Sequence, residues 1–293
     1  MRFEARHGRG SVLSLTLGAV VLTGVLGACG SSSSGANPTP SGSTSSSSSQ
    51  APPLSSSAAA AVITVLVTND DGVKAPGIDA MVQALRKVKG VTVKVVAPAT
   101  NQSGTGGKTT AGSVTFTNAT TASGYPAVSV NGTPADSANV AFTQLHLAPN
   151  VVISGINALQ NLGPIVDLSG TVGAARVGAR NGLPALAVSS GAGKAYDFAT
   201  AARYAVDWLA SVRSSLPKGP SSTAASVVSL NVPSCNKGKV RGELKLPQQT
   251  KLLAGQSDLG TSNCLSKLHP TTEVAAFSAG YATLVPLPLN PVS

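Results

Sequence analysis

From residue 62 onward, apolar positions fall into two alternating patterns. Helical spacing of apolar residues predicts helices that begin at Pro76, at Thr133-Pro134, after Thr171 and at Tyr196. Short runs rich in β-branched residues predict buried strands at 62–67, 91–96, 127–130, 151–153, 184–189 and 227–232. This alternation predicts the α/β class, with a parallel-core sheet and helices on both faces.

The pattern changes near Val240. The remaining residues form short β-like pieces between Gly, Pro and Ser turns, with no clear helix. We therefore expect a C-terminal β-rich arm, which is a candidate for dimer formation.

The N-terminus has the features of an export signal. Residues 1–28 combine a basic start with an apolar stretch at 12–26, too short and wrongly flanked for a stable membrane span. The end of this segment, Leu26-Gly27-Ala28-Cys29, resembles a bacterial lipobox. We expect a lipoprotein signal peptide over 1–28, lipidation of Cys29 and anchoring to the outer face of the bacterial cell membrane. The alternative is an ordinary signal peptide followed by a chance cysteine.

Residues 29–57 are almost entirely Ser, Gly, Pro, Thr and Ala, which predicts a flexible linker. Residues 58–293 are long enough for one folded domain. In an exported chain, Cys235 and Cys264 are expected to form a disulfide, and two unpaired thiols are the alternative.

The overall charge is +10, which favours phosphorylated or anionic partners. Aromatic residues make up only 3% of the chain, so stacking on a nucleic-acid polymer is disfavoured.

The candidate chemistry begins at Asn69-Asp70-Asp71-Gly72, directly after the first predicted strand. Ligands of open α/β sheets bind beyond the carboxyl ends of such strands. Two adjacent carboxylates repel each other there, and a hard divalent cation is the usual compensation. The alternative is a surface turn, since Asp-Gly is a common hairpin signal.

Further polar groups follow neighbouring strands. Ser103 lies in the Gly-rich loop after the second strand, and Asn157 follows the strand at 151–153. With Asp70 and Asp71 they make an oxygen donor set that suits Mg²⁺, Mn²⁺ or, as a third option, Ca²⁺. Taken singly, the Gly-rich loop is most often a flexible loop, and Ser154-Gly-Ile-Asn157 reads as a strand-to-turn transition.

An anion site is predicted beside this cation site. Asn161 precedes a helix start at Ser169-Gly170-Thr171, where free N–H groups and the helix dipole attract negative charge. Taken singly, these Ser and Thr residues are ordinary helix caps. Together the two sites suit hydrolysis of a phosphate ester, in which a metal-bound water attacks phosphorus and Asp70 or Asp71 accepts a proton.

The chain resembles the SurE (stationary-phase survival protein) nucleotidase family over essentially its whole folded part. The matching segments are Val67-Thr-Asn-Asp-Asp-Gly-Val-Lys-Ala-Pro-Gly-Ile78, Val96-Ala-Pro-Ala-Thr-Asn-Gln-Ser-Gly104, Asn131-Gly-Thr-Pro-Ala-Asp136, Ser154-Gly-Ile-Asn157, Asn161-Leu-Gly163, Ser169-Gly-Thr171, Leu183-Pro-Ala-Leu-Ala-Val-Ser189, Leu230-Asn-Val-Pro233 and Gly280-Tyr281 with Pro286-Leu287.

The resemblance implies a Rossmann-like core and a C-terminal β arm exchanged between subunits, hence a homodimer or higher homo-oligomer. It implies metal-dependent hydrolysis of nucleoside 5′- and 3′-monophosphates. The implied metal ligands are Asp70, Asp71, Ser103 and Asn157, and the implied phosphate-binding residues are Asn161, Ser169, Gly170 and Thr171. The chain departs from the family at Lys74, where His is usual, and at Pro164 and Ile165, where acidic residues are usual.

Two functions therefore compete at this stage. The first is a divalent-metal-dependent phosphomonoesterase acting on nucleoside monophosphates or other small phosphomonoesters. The second is a lipid-anchored solute- or nucleotide-binding protein without turnover, although such receptors generally need two similar lobes and only one sheet is predicted.

Overall fold

The computed structural model describes residues 62–292. The predicted signal peptide, the lipidation site Cys29, the linker and the predicted domain start at residue 58 all lie outside the described residues. Within the described residues, none of the helices has the length and apolarity needed to cross a bilayer.

Strands and helices alternate through most of the described chain. The nine strands are β1 Ile63–Thr68, β2 Val91–Pro98, β3 Phe116–Thr120, β4 Pro126–Val130, β5 Val151–Ala158, β6 Ala185–Ser190, β7 Val227–Val232, β8 Glu243–Lys245 and β9 Ala282–Leu287. The five α-helices are α1 Pro76–Leu85, α2 Pro134–Thr143, α3 Gly170–Arg180, α4 Phe198–Val212 and α5 Glu273–Ser278. Short 3₁₀ helices cover Gly163–Leu168 and Arg213–Ser215.

All nine strands form one sheet in the order β3-β4-β2-β1-β5-β6-β7-β9-β8. The six strands from β4 to β7 in this order pair in parallel. At the two sides of this parallel core, β3 runs antiparallel to β4 and β9 runs antiparallel to β7. The predicted parallel-core sheet is therefore present, with antiparallel additions.

Each face of the sheet carries its own apolar core. On one face, Val65 and Val67 of β1 pack in a cluster with apolar residues of α1 and α4. On the other face, Leu66 of β1 joins a cluster with residues of α2 and α3. Residues of β1 are buried on both sides, which explains why its sequence is an unbroken apolar run.

The order in which strands are added to the sheet reverses at β1. Strand β2 pairs with one side of β1, and β5 pairs with the other side. Ligands of open α/β sheets bind at such a switch point, outside the carboxyl ends of the strands. The ends of β1 and β5 therefore mark the place where a site is expected.

Three local features differ from the sequence prediction. The C-terminal segment was expected to lack a helix, but it contains α5, a six-residue helix. Its strands β8 and β9 extend the main sheet. Ser154 to Asn157 were interpreted as a strand-to-turn transition, but they lie inside β5, where the register with β6 shifts. Strand β3 was not predicted, because its sequence is largely polar and half-exposed.

The C-terminal segment is tied to the end of β7 by a covalent bond. Cys235 and Cys264, the pair predicted above, are joined in a disulfide with a Cα–Cα distance of 5.7 Å. The residues linked are 29 apart in sequence. This bond restricts the loop that runs from β8 towards α5.

Candidate active site

The turn after β1 places two carboxylates at the switch point. Gly72 adopts φ +102°, and a Cβ there would approach the carbonyl carbon of Thr100 to 3.1 Å, so glycine suits this turn. The side-chain nitrogen of Asn69 donates to the carbonyl of Gly72 at 2.9 Å and closes the turn. Asp70 and Asp71 lie between Asn69 and Gly72 in this turn.

Asp70 is the more buried carboxylate, with 2% of its surface exposed. The hydroxyl of Thr171 donates to its Oδ1 at 2.7 Å. Burial raises the pKa of Asp70 from 3.8 to about 6; the hydrogen bond from Thr171 opposes the rise, and the negative charge of Asp71 adds to it. Without a counter-charge, this carboxylate is therefore held in an unfavourable environment for its ionised form.

Asp71 is half-buried. The backbone N–H of Ala158 donates to its Oδ2 at 2.9 Å, and the amide of Asn101 donates to its Oδ1 at 3.3 Å. Burial raises the pKa of Asp71, and the N–H of Ala158 opposes this rise. The hydrogen bond from Ala158 also fixes Asp71 against the end of β5.

Strand β5 and the loop after β2 bring the two remaining predicted ligands. The side-chain nitrogen of Asn157 donates to the carbonyl of Leu159 at 2.6 Å, which retains Oδ1 of Asn157 as the atom available to a cation. Ser103 is exposed, and its N–H donates to Oδ1 of Asn101 at 2.8 Å. Asn101 therefore links the loop that carries Ser103 to Asp71.

Most of the predicted site residues line one cleft of about 190 Å³. Asp70, Ser103, Asn157, Asn161 and Ser169 line it, and Asp71 is connected to it through Ala158. Four separate segments of the chain thus meet at one edge of the sheet. Gly170 and Thr171 lie directly behind this lining, against Asp70.

Asn161, a predicted phosphate-binding residue, is held by hydrogen bonds from both its backbone and its side chain. Its backbone N–H donates to Oδ1 of Asn231 at 2.7 Å, and its carbonyl accepts from the amide of Asn231 at 3.0 Å. Its side-chain nitrogen donates to Oγ of Ser189 at 2.9 Å. Neighbouring strands β6 and β7 therefore hold Asn161 in place.

The N-terminus of α3 has a conventional cap and an unusually close neighbour. Oγ of Ser169 accepts the N–H of Val172 at 3.2 Å, as the sequence predicted for a helix cap. A Cβ on Gly170 would approach both Cβ of Asp70 and Cγ of Pro134 to 2.9 Å. Only glycine fits there, so α3 can begin directly against Asp70.

Thr171 is placed differently from the other predicted phosphate-binding residues. Its hydroxyl is fully buried and is engaged with Asp70. The structure thus assigns this side chain a contact with a candidate metal ligand, while the direct phosphate role stays a prediction.

Sequence reasoning gave no role to several residues that support the site. Asn101 contacts the predicted metal ligands Asp71 and Ser103. Ser189 and Asn231 hold Asn161, a predicted phosphate-binding residue. Gln160 accepts the N–H of Ala192 at 2.8 Å and donates to the carbonyls of Asp258 and Gly260, at 3.1 and 2.9 Å. A sequence signal for Asn231 was present, since it is a polar residue in the buried and largely apolar strand β7.

The residues of the cleft fit a hard divalent cation. Among residues 62–292, no group of three or more His, Cys, Asp and Glu side chains forms a candidate metal site. The donor set here instead combines two carboxylates with amide and hydroxyl oxygens, the chemistry that Mg²⁺, Mn²⁺ and Ca²⁺ accept. None of the described residues that line the cleft is Lys, Arg or His, so no side chain compensates the two negative charges.

Fold and site together define a Rossmann-like α/β protein with an acidic, oxygen-rich cleft at the switch point of its sheet. The sequence profile described as "Survival protein SurE" matches residues 65–254. The chain belongs to the SurE family, and the resemblance inferred from its motifs is confirmed.

Similar proteins cover nearly the same part of the chain. A protein named 5′-nucleotidase SurE from Symbiobacterium thermophilum is 34% identical over 242 residues, which span 77% of this chain and 92% of the relative. A protein named 5′/3′-nucleotidase SurE from Escherichia fergusonii is 35% identical over 240 residues, 76% of this chain and 89% of the relative.

A crystal structure of the SurE protein from Aquifex aeolicus superposes with a TM-score of 0.62 at 27% sequence identity. The match covers 78% of this chain and 95% of that protein. The predicted Rossmann-like α/β fold is therefore confirmed.

Proposed function

We propose that this protein is a divalent-metal-dependent phosphomonoesterase that hydrolyses nucleoside monophosphates as a 5′/3′-nucleotidase. The observation that carries the proposal is the convergence of Asp70, Asp71, Ser103 and Asn157 beside the N-terminus of α3. The nucleotidase names of the relatives support the reaction and the substrate class.

Asp70, Asp71, Asn157 and Ser103 are the residues that would hold Mg²⁺ or Mn²⁺, with Ca²⁺ as a third option. When bound, the cation supplies Lewis-acid polarisation of the phosphoryl group and lowers the pKa of a coordinated water. The hydrogen bonds from Thr171 and Ala158 orient one oxygen of each carboxylate, Oδ1 of Asp70 and Oδ2 of Asp71.

The phosphate is received on the other side of the cleft. The side chains of Asn161 and Ser169 line this side, and the N-terminus of α3 contributes its positive end. Asp70 or Asp71 is the candidate proton acceptor, and Oδ1 of Asp71 accepts a long, 3.3 Å hydrogen bond from Asn101.

Phosphate release tests the proposal directly. The predicted domain, residues 58–293, is to be assayed with 5′- and 3′-nucleoside monophosphates in EDTA and after addition of Mn²⁺ or Mg²⁺. We expect release only with metal and its loss in Asp70→Asn, with retained folding because the amide can still accept from Thr171. The control Asp207→Asn alters an exposed carboxylate, 62% accessible, on α4.

The same assay separates the enzyme from the binding-protein alternative. A receptor would bind a nucleotide yet release no phosphate under any metal condition. The described residues form one continuous sheet, whereas the receptor hypothesis needs two similar lobes.

We also propose that the chain is exported and anchored through a lipid on Cys29 to the outer face of the cell membrane. The lipobox-like sequence and the disulfide between Cys235 and Cys264 support this location. Labelling with a radioactive fatty acid should mark the full chain and not Cys29→Ser. Equal labelling of both would contradict the proposal.

A homodimer or higher homo-oligomer is proposed on the basis of the C-terminal segment. Five leucines in it, Leu252, Leu253, Leu259, Leu265 and Leu268, are between 39% and 69% exposed. Light scattering on the purified domain should give at least twice the mass of one chain, and a monomer at micromolar concentration would refute this assembly.

A further inference from the structure

The parallel strands begin at the edge of the sheet opposite the candidate active site. Four connections return the chain from an α-helix to this edge, at residues 86–90, 144–150, 181–184 and 213–226. None of these four segments contains Asp or Glu. Two of them carry five cationic residues, which we call the basic edge: Arg86, Lys87, Lys89, Arg213 and Lys218.

Carboxylates are instead found at the other edge of the sheet. In addition to the two aspartates of the candidate active site, Asp136 lies in the first turn of α2 and Asp197 caps α4. The acidic residue nearest to the basic edge in sequence is Asp207 of α4, which pairs with Arg203 at 3.5 Å. Lysines are present at both edges, but the connections of the basic edge have no acidic residue to balance them.

Hydrogen bonds hold the two loops of the basic edge in place. The guanidinium of Arg213 donates to the carbonyls of Lys89 and Gly90, at 3.1 and 3.0 Å. The amide of Asn150 donates to the carbonyl of Pro217 at 2.8 Å, and its Oδ1 accepts a backbone N–H of β1 at 2.6 Å. The positive charges therefore lie on a surface that is fixed against the starts of β1 and β5.

A hollow of about 770 Å³ lies within this surface. Arg213 and Lys218 line it, together with the half-buried Leu216. Val62 also lines the hollow, and 69% of its surface is exposed. Cations beside an exposed apolar side chain suit the headgroup region of an anionic bilayer, which attracts the charges and removes apolar surface from water.

Helix dipoles account for only part of this positive charge. Arg86 and Arg213 directly follow α1 and α4, where a cation interacts favourably with the helix C-terminus. Lys87, Lys89 and Lys218 are exposed. Lys89 and Lys218 also lie beyond the last helical turn, where the effect of the dipole has decayed. These lysines are therefore available to an external anionic surface.

The chain enters the described domain at the same edge. Val62 immediately precedes β1 and lines the hollow. The sequence between Cys29 and Val62 contains no charged residue, and a chain of this composition has an r.m.s. span of roughly 30 Å. A lipid on Cys29 would therefore hold the basic edge close to a bilayer, at high effective concentration.

We propose that the basic edge is a docking surface for the anionic phospholipid headgroups of the membrane to which the chain is tethered. A domain docked in this way presents the candidate active site, at the opposite edge of the sheet, to the aqueous side. The orientation rests on the proposed lipid anchor at Cys29. The surface itself requires neither the lipid nor phosphatase activity, so it is testable without either.

The test measures binding of the unlipidated chain to vesicles by sedimentation. Residues 29–293 with Cys29→Ser are mixed with vesicles of phosphatidylcholine, or of equal parts phosphatidylcholine and phosphatidylglycerol. We expect binding to the anionic vesicles only, weakened by high salt. A lysine near an anionic surface strengthens binding roughly fivefold, so combined Lys87→Gln, Lys89→Gln and Lys218→Gln should lower the partition coefficient by about 100-fold.

The matched control removes the same charge from the other edge of the sheet. Combined Lys108→Gln, Lys194→Gln and Lys237→Gln alter three exposed lysines in the loops after β2, β6 and β7. We expect this variant to bind anionic vesicles nearly as the parent does, and thermal melts check that both triple variants stay folded.

Three outcomes would overturn the docking surface. The first is no binding of the parent to anionic vesicles, and the second is an equal loss in both triple variants, which would show an effect of net charge alone. The third is binding to soluble polyglutamate without binding to vesicles, which would assign the basic edge to an acidic polymer. Each of them leaves the proposed nucleotidase activity intact, because hydrolysis is measured separately.

Discussion

The hydroxyl of Thr171 donates a 2.7 Å hydrogen bond to Oδ1 of Asp70, a residue 101 positions earlier in the sequence. Both side chains are buried, with 0% and 2% of their surfaces exposed. This contact joins the first turn of α3 to the end of β1, and so joins the segment predicted to bind phosphate to a predicted metal ligand.

Thr171→Val removes this hydrogen bond with little change in volume. A hydrogen bond to a charged group contributes about 1.5–3 kcal/mol, so we expect Mn²⁺ affinity and nucleotide turnover to fall by about tenfold or more. Calorimetry and phosphate release measure the two effects. Thr143→Val, whose exposed hydroxyl bonds only to Asn139, is the matched control. Unchanged Mn²⁺ affinity in Thr171→Val would show that the contact does not orient Asp70.

Gly170→Ala tests the close packing between α3 and Asp70. The new methyl group would lie 2.9 Å from both Asp70 and Pro134, so helix or aspartate must shift. We expect unfolding free energy to fall by about 1–3 kcal/mol, with a larger loss of activity than the loss of folded protein explains. Gly107→Ala is the control, since a Cβ there meets no atom within 4 Å. Equal behaviour of the two variants in melts and assays would contradict the packing argument.

Glu273 gives the stability of the fold a specific pH dependence. Burial raises the pKa of this carboxyl from 4.5 to about 7, although it accepts N–H groups from Gln249 and Gly163. Because the folded state binds this proton more tightly than the unfolded chain, the contribution is present below pH 4.5 and is lost as pH rises through about 7.

Replacement of Glu273 by Gln should remove that dependence. We expect the unfolding free energy of the wild type to decline by up to roughly 3 kcal/mol from pH 4.5 to 8 relative to Glu273→Gln. Urea titrations at several pH values measure both profiles, and Glu243→Gln, at an exposed residue of β8, is the control. Parallel profiles for wild type and Glu273→Gln would rule out this role.

Gln160 connects the site to two loops that are distant in sequence. Its buried amide makes the three hydrogen bonds to Ala192, Asp258 and Gly260. Gln160→Ala leaves these backbone groups without a partner, which we expect to cost about 1–3 kcal/mol and to speed hydrogen exchange near residues 192 and 258–260. Gln256→Ala removes another loop amide without touching the segment between Asn157 and Asn161. Unaltered exchange in Gln160→Ala would show that the loops are held by other contacts.

The sequence predicted the strands that carry the site better than the contacts that hold it. The apolar run ending at Asp70 is visible without a structure, because β1 is buried on both faces. The hydrogen bonds between Asn161 and Asn231 were not predictable, since the two residues are 70 positions apart and meet only when β5 and β7 flank β6.

Two elements escaped prediction for local reasons. Strand β3 is a polar edge strand without regular apolar alternation. Helix α5 has six residues, fewer than two turns, and depends on packing of Val274 and Phe277. At β5, the Ser154–Asn157 segment contains glycine and polar residues typical of a turn, yet pairing with β6 continues past the register shift to Ala158.

Calorimetric titration of chelator-stripped protein with Mn²⁺ tests most directly whether the two aspartates share a cation. We expect one site per chain in the wild type, with affinity lowered by at least about 100-fold in Asp71→Asn and retained in Asp207→Asn. Heat of binding that is absent in the wild type at millimolar Mn²⁺ or Mg²⁺, or equal in wild type and Asp71→Asn, would contradict the metal-dependent site.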